Sequence, residues 1–97
     1  MKTLPRLAQA SAVMHGVLRL DFLDGYVGVV DLRPWIARGK IFTWLQDPEH
    51  FSDFTVDEFG HHVTWRTGDG HDIDFGADNL RRECERQAEI HRLMLAG

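Results

Sequence analysis

A chain of 97 residues with 43% hydrophobic and 27% charged side chains has the size and composition of one small globular domain. Its formal charge of −4 works against a general phosphate-binding surface, and no apolar run approaches the roughly 20 residues needed to cross a bilayer. The single cysteine, Cys84, excludes an internal disulfide framework and suits a reducing cytoplasm, where the protein is expected to reside.

The N-terminal stretch MKTLPRLAQASAVMHG has basic residues and an Ala-x-Ala pattern, but Arg6, Gln9 and Ser11 interrupt any apolar h-region. It reads as mature chain, with Leu7 to Met14 a first strand of weak pattern. His15-Gly16 offers a tight turn, and Val17 to Phe22 alternates: Leu18, Leu20 and Phe22 on one face, Val17, Arg19 and Asp21 on the other. Leu23-Asp24-Gly25 turns the chain into a valine-rich strand, Tyr26 to Asp31. The GYVGVV within it resembles a phosphate loop only superficially, since it lacks G-x-G-x-x-G and no helix pattern follows. Gly28 is better explained by close packing.

Pro34 then suits the first position of a short helix, which Gly39 stops. Ile41 to Gln46 reads as another helical turn ended by Asp47-Pro48. Phe51 to Val56 and His61 to Arg66 read as strands joined by Asp57-Glu58-Phe59-Gly60.

The segment HVTWRTGDGHDIDF is the densest in chemistry. With its loop at Gly68-Asp69-Gly70, Trp65 faces Ile73, Thr64 faces Asp74 and Val63 faces Phe75, so apolar residues meet apolar ones. A two-residue loop at Asp69-Gly70 would set Arg66 against Ile73 and disorder both faces. The polar density therefore belongs mostly to the solvent face of a hairpin. From Asp78, a candidate N-cap, the period becomes helical. Leu80, Cys84, Gln87, Ala88, Ile90, His91, Met94 and Leu95 share a stripe, opposite Arg81, Arg82, Glu85, Arg86, Glu89 and Arg92. Arg81–Glu85 and Glu89–Arg92 are spaced to pair.

These elements predict an α+β fold: a small antiparallel-rich sheet of about five to six strands, a short helical segment after Pro34, and an amphipathic C-terminal helix over about 78–95. The whole chain, 1–97, is expected to be one domain. Phe22, Val63, Trp65, Ile73 and Phe75 are expected in its core.

Several sites are suggested and most dissolve. Asp72, Asp74, Asp78 and Glu83 fit four positions of a calcium loop, but Gly76 and Ala77 fail at two others. A zinc site from His61 or His62 with His71 and Asp72 is conceivable across the hairpin, yet lacks cysteine pairs or a spaced His-x-x-x-His. Cys84 and His91 lie about 10 Å apart along a helix, too far to form a thiol–imidazole pair. Cys84 reads as a small core hydrophobe and His91 as an edge-of-core residue. The helix arginines are interleaved with glutamates and make no basic stripe. Trp35 and Trp44 lie in irregular segments, where an exposed aromatic marks a contact surface.

The run LRLDFLDGYVGVVDLRPWIARGKIFTWLQDPEHF, followed by VTW and ADNL, resembles a bacterial family, domain of unknown function 2442. Its pattern falls here on Phe22, Asp24, Gly25, Asp31, Leu32, Gly39, Phe42, Leu45, Phe51 and Trp65. The resemblance covers about 7–80, with Trp65-Arg66-Thr67-Gly68 replacing the family's Trp-Pro-x-Gly turn. It implies a small α+β domain with no catalytic residue to transfer, and members of antitoxin–toxin character. The resulting expectation is a non-enzymatic protein-interaction module without cofactor, antitoxin-like in its concrete form. Its contact surface is assigned to Trp35, Trp44 or the C-terminal helix, with self-association as a variant. A small metal-dependent enzyme built on His61, His62, His71 and Asp72 is the second reading, and a nucleic-acid-binding regulator the third.

Overall fold

Among the described residues, six antiparallel strands form two three-stranded sheets, and three short helical segments connect them before a long final helix. In chain order these are β1 (Leu7–Met14), β2 (Val17–Phe22), β3 (Val27–Asp31), α1 (Arg33–Arg38), a 3-10 segment (Lys40–Gln46), α2 (Pro48–Ser52), β4 (Phe54–Val56), β5 (His62–Trp65), β6 (Ile73–Gly76) and α3 (Ala77–Ala96). The structure is a computed structural model and describes residues 4–67, 70 and 72–96.

The first sheet has the order β1-β2-β3. Its turns are made by Gly16 and Gly25, at φ +87° and +93°, a region that side chains with a Cβ rarely enter. Leu18, Leu20 and Phe22 all point inward from β2 and are buried, as their alternation demands. Val17 is buried as well, although it belongs to the other face. Register shifts between Leu7 and Gln9 and between Ala12 and Met14 mark bulges near both ends of β1.

The second sheet, β4-β5-β6, carries the histidine-rich hairpin. Its register pairs Val63 with Phe75, Thr64 with Asp74 and Trp65 with Ile73, the set that apolar-to-apolar matching predicts. Gly68, Asp69 and His71, at the turn, lie outside the described residues. Trp65 is fully buried, and its indole N–H donates to the Phe51 carbonyl at 2.8 Å. The rings of Phe51, Phe54 and Phe75 each lie 5.7 Å from it, stacked or edge-on. The two sheets share one hydrophobic core, in which Leu18, Leu20 and Val30 join Val63, Trp65 and Ile73. Backbone hydrogen bonds also link them, since Leu7 N–H donates to the Gly60 carbonyl at 2.7 Å.

Four expectations change. The six strands are divided between two sheets rather than joined in one. Phe51 is not in a strand but in α2, because Asp47, besides ending the 3-10 segment, caps a new helix, accepting the Glu49 N–H at 2.8 Å, with Pro48 at the first helical position. Helix α3 starts one residue earlier than Asp78, which therefore sits in the first turn and accepts the Asn79 N–H instead of capping. Phe75 is half-buried, covered on one side by the Trp35 ring at 5.5 Å.

Candidate functional site

The hairpin does not bring its candidate ligands together. His62 pairs with Gly76 at the open end of β5, whereas Asp72 lies just beyond Ile73, the partner of Trp65 at the other end. Three residues of strand separate the two ends by about 10 Å. His61 and His62 are exposed neighbours whose ring centroids lie 6.4 Å apart, and His71 is outside the described residues. Asp74 is engaged in a cross-strand bond, accepting the Thr64 hydroxyl at 2.5 Å. Asp57 is similarly committed to the turn before β5, where its carboxylate accepts the N–H groups of Phe59 and His62. Among the described residues no group of three His, Cys, Asp or Glu side chains is placed to hold a metal ion.

Of the two tryptophans assigned to a contact surface, Trp35 packs as part of the molecule. It sits in α1, half-buried against the core and stacked on Phe75. Trp44, in the 3-10 segment, is exposed and lies flat on His50, with 3.6 Å between ring centroids. The His50 imidazole is held in turn by a 2.9 Å hydrogen bond to the Trp44 carbonyl. This pair is a rigid aromatic plate on the surface.

Helix α3 divides into two halves. In the first, Ala77, Leu80 and Cys84 are buried against the sheets. Gly28 makes the approach possible, because a Cβ there would stand 3.1 Å from both Cβ and Sγ of Cys84. Burial pushes the Cys84 thiol up to about 11, so it is an unreactive packing group rather than a nucleophile. Arg81 reaches across the sheet's turn, with its guanidinium 3.9 Å from the centre of the Tyr26 ring and its Nη1 3.0 Å from Asp24. Gln87 ends this half: its amide accepts the Asp31 N–H at 2.9 Å and donates to the Asp31 carbonyl at 3.1 Å.

Asp31 is the last residue of β3, paired with Val17, which in turn faces Met14 at the end of β1. The first sheet therefore ends where Gln87 touches it, and from Ala88 to Leu95, over about 12 Å of helix, every residue of α3 is exposed. Ala77, Leu80, Cys84, Gln87, His91 and Met94 recur at alternating three- and four-residue spacings, a seam that continues from the packed half into the unsupported one. Ile90 and Leu95 flank that seam. Ile90, Met94 and Leu95 are 43, 76 and 76% exposed. His91 is exposed too, and is not the edge-of-core residue its position on the stripe suggested. Periodicity identified the face correctly but carried no information on where the sheet beneath it stops.

Charge does not define a second surface. Three of the four arginines of α3 are paired along the helix, Arg81 with Glu85 at 2.8 Å, Arg86 with Glu83, and Arg92 with Glu89 at 3.0 Å, while Arg82 donates to Asn79 at 3.4 Å. An open cleft between the N-terminal segment and the start of α3 is lined by Arg6, Arg81 and Arg82 but equally by Asp24, Asp78 and Glu85. Among the described residues every buried side-chain polar atom has a partner, and no helix is long and apolar enough to cross a membrane.

The fold and its surface define a small α+β protein of two antiparallel sheets closed by a helix. A family model described as protein of unknown function (DUF2442) matches residues 12–86, and the chain belongs to that family. Among curated proteins and among solved structures, nothing matches the chain significantly. The pattern residues now have structural reasons. Phe22, Leu32, Leu45, Phe51 and Trp65 are buried, Asp24 accepts the Tyr26 N–H across the Gly25 turn, and Asp31 accepts the Arg33 N–H at the start of α1. The residues that carry the resemblance are residues of the core and its turns. The match stops at Arg86, two residues before the half of α3 that leaves the body.

Proposed function

We propose that the protein is a non-enzymatic protein-interaction module, antitoxin-like in binding another protein, whose contact surface is the outer half of α3. One observation carries this: the apolar seam that packs α3 on the sheets continues past the end of the first sheet into solvent, at Ile90, Met94 and Leu95. Contiguous exposed apolar surface of this kind marks interaction sites. Trp44 is a second contact residue, because an exposed aromatic already fixed against His50 loses little side-chain freedom on binding. Trp35, stacked on Phe75, is the less available of the two tryptophans. The buried, unactivated thiol is compatible with a reducing cytoplasm, where we place the protein.

A metal-dependent reaction on the hairpin would require His61 or His62 to meet Asp72, and the strand length between them argues against it. A nucleic-acid-binding role would require unpaired cations on one face, and the paired arginines of α3 argue against that.

The test is recovery from the native host of proteins bound to the tagged chain, comparing wild type with Met94→Asp and with Trp44→Ala. Both substitutions lie on exposed positions, so the melting temperature should stay within a few degrees of wild type. Loss of a specific co-purifying protein with either variant supports the reading. Identical recovery with both variants overturns it.

A further inference from the structure

We infer that the occupant of the outer half of α3 is a second copy of this chain, bound antiparallel about a two-fold axis near His91. This rests on the reading of α3 as the contact surface and names its partner.

The geometry of the seam decides the orientation. In each copy the seam faces the same side as the sheets, because Leu80 and Cys84 of the inner half pack on them. A parallel partner helix laid on the seam would bring its own sheets to the level of the first copy's sheets, and the two bodies would overlap. An antiparallel partner places its sheets beyond the far end of the first helix. Each C-terminus then points at the other body, towards the sheet end that carries Met14, itself exposed. Only the outer halves overlap, with His91 at the centre and Ile90, Met94 and Leu95 of both chains around it.

Size and charge fit the same occupant. The exposed parts of Ile90, Met94 and Leu95, with Ala88 and His91, present roughly 500 Å² per chain, so two copies bury about 1,000 Å². That is the lower limit of a specific interface and suits a dimer that forms at micromolar concentration, about the range in which such small contacts operate. Glu89 and Arg92 neutralise each other within one helix, so two copies meet without like-charge repulsion at the seam. Pairing gives both outer halves the surface they lack.

Leu93 provides an internal control. It is exposed like the seam residues, but at about 100° per residue it lies on the far side of the helix. The experiment is equilibrium sedimentation of the full chain from about 1 to 200 µM, for wild type, Met94→Asp and Leu93→Asp, with circular dichroism confirming the fold of each. The expected result is a two-fold mass for wild type and Leu93→Asp at the upper concentrations, and a single-chain mass throughout for Met94→Asp. A wild type that stays at single-chain mass to 200 µM overturns the proposal, as does a Met94→Asp variant that still dimerises. So does equal loss of association in Leu93→Asp, which would place the contact on another face. If wild type is a single chain yet Met94→Asp loses a co-purifying host protein, α3 remains the contact surface and only the second copy is wrong. If neither effect appears, both readings fall.

Discussion

Trp65 and Met94 are large apolar side chains, each called to an inner face by a simple sequence period, and they end in opposite environments. Trp65 is 0% exposed, ringed by Phe51, Phe54 and Phe75, with its one polar atom bonded to a backbone carbonyl. Met94 is 76% exposed on a helix that has left its sheet behind. Period specifies a face, but burial also needs an opposing element. At Trp65 that element is present within the described fold: Phe51 of α2 stacks on it, and Leu18, Leu20 and Val30 of the first sheet share its core. At Met94 it must come from elsewhere.

The largest expected effect lies at the closed region. Trp65→Ala removes the centre of the aromatic cluster and leaves a cavity, and should cost on the order of 3–5 kcal/mol in urea unfolding, enough to threaten a domain this small. A near-neutral result would mean that the cluster around Trp65 is not the core. Leu80→Ala, in the inner half of α3, should cost about 2–4 kcal/mol by the same reasoning. Next comes Gln87→Ala, at about 1–2 kcal/mol, because two part-buried hydrogen bonds to Asp31 are lost and a backbone pair is left open. Met94→Ala, measured at dilutions where only single chains are present, should change stability by no more than about 0.5 kcal/mol. A cost as large as that of Leu80→Ala would erase the contrast between the two halves of the helix.

The tie of the inner half to the sheet also has a pH dependence. The Tyr26 N–H and the Arg81 guanidinium hold the Asp24 carboxyl below its ordinary value of 3.8. A carboxyl depressed in the folded state contributes stability above its unfolded value, and the contribution is lost as pH falls through the folded one. Thermal melts should therefore be flat in this respect from pH 7 to about 5 and decline below about 4, with a shallower decline in Asp24→Asn. An equal decline in both proteins would remove Asp24 from the account.

Legibility in the sequence followed the same division. The register of β5 on β6 was readable because one slip would have exposed Trp65 and Ile73 together. The buried face of β2 was readable for the same reason. Gly28 was recognised as a packing glycine by elimination, and the structure supplies its counterpart, the Cys84 side chain. Less was readable around Asp47, which both ends the 3-10 segment and caps α2: the stop is legible in Asp47-Pro48, but the same pair also starts the helix that takes Phe51 out of the strand. The division of six strands into two sheets had no local signal, since it is set by which edges meet in three dimensions. For the contact surface, the sequence points to the C-terminal helix as well as to Trp35 and Trp44 in irregular segments. Trp35 is bound into the structure against Phe75, while the most exposed apolar side chains stand on a regular helix.

The Gln87–Asp31 bonds also bear on how this protein avoids sticking to itself in the wrong way. A strand at the rim of a sheet offers its free backbone groups to any other chain, and such rims are where fibrils begin. At Asp31 both outward groups are occupied by a single side-chain amide, which mimics the backbone of a further strand. Backbone groups alternate in direction along a strand, so an added strand could find only Val27 and Val29 on that rim. The opposite rim, β1, is kinked by its two bulges. Gln87→Leu would keep the helical pattern and remove the mimic, and light scattering on prolonged incubation would show whether one glutamine has been guarding solubility.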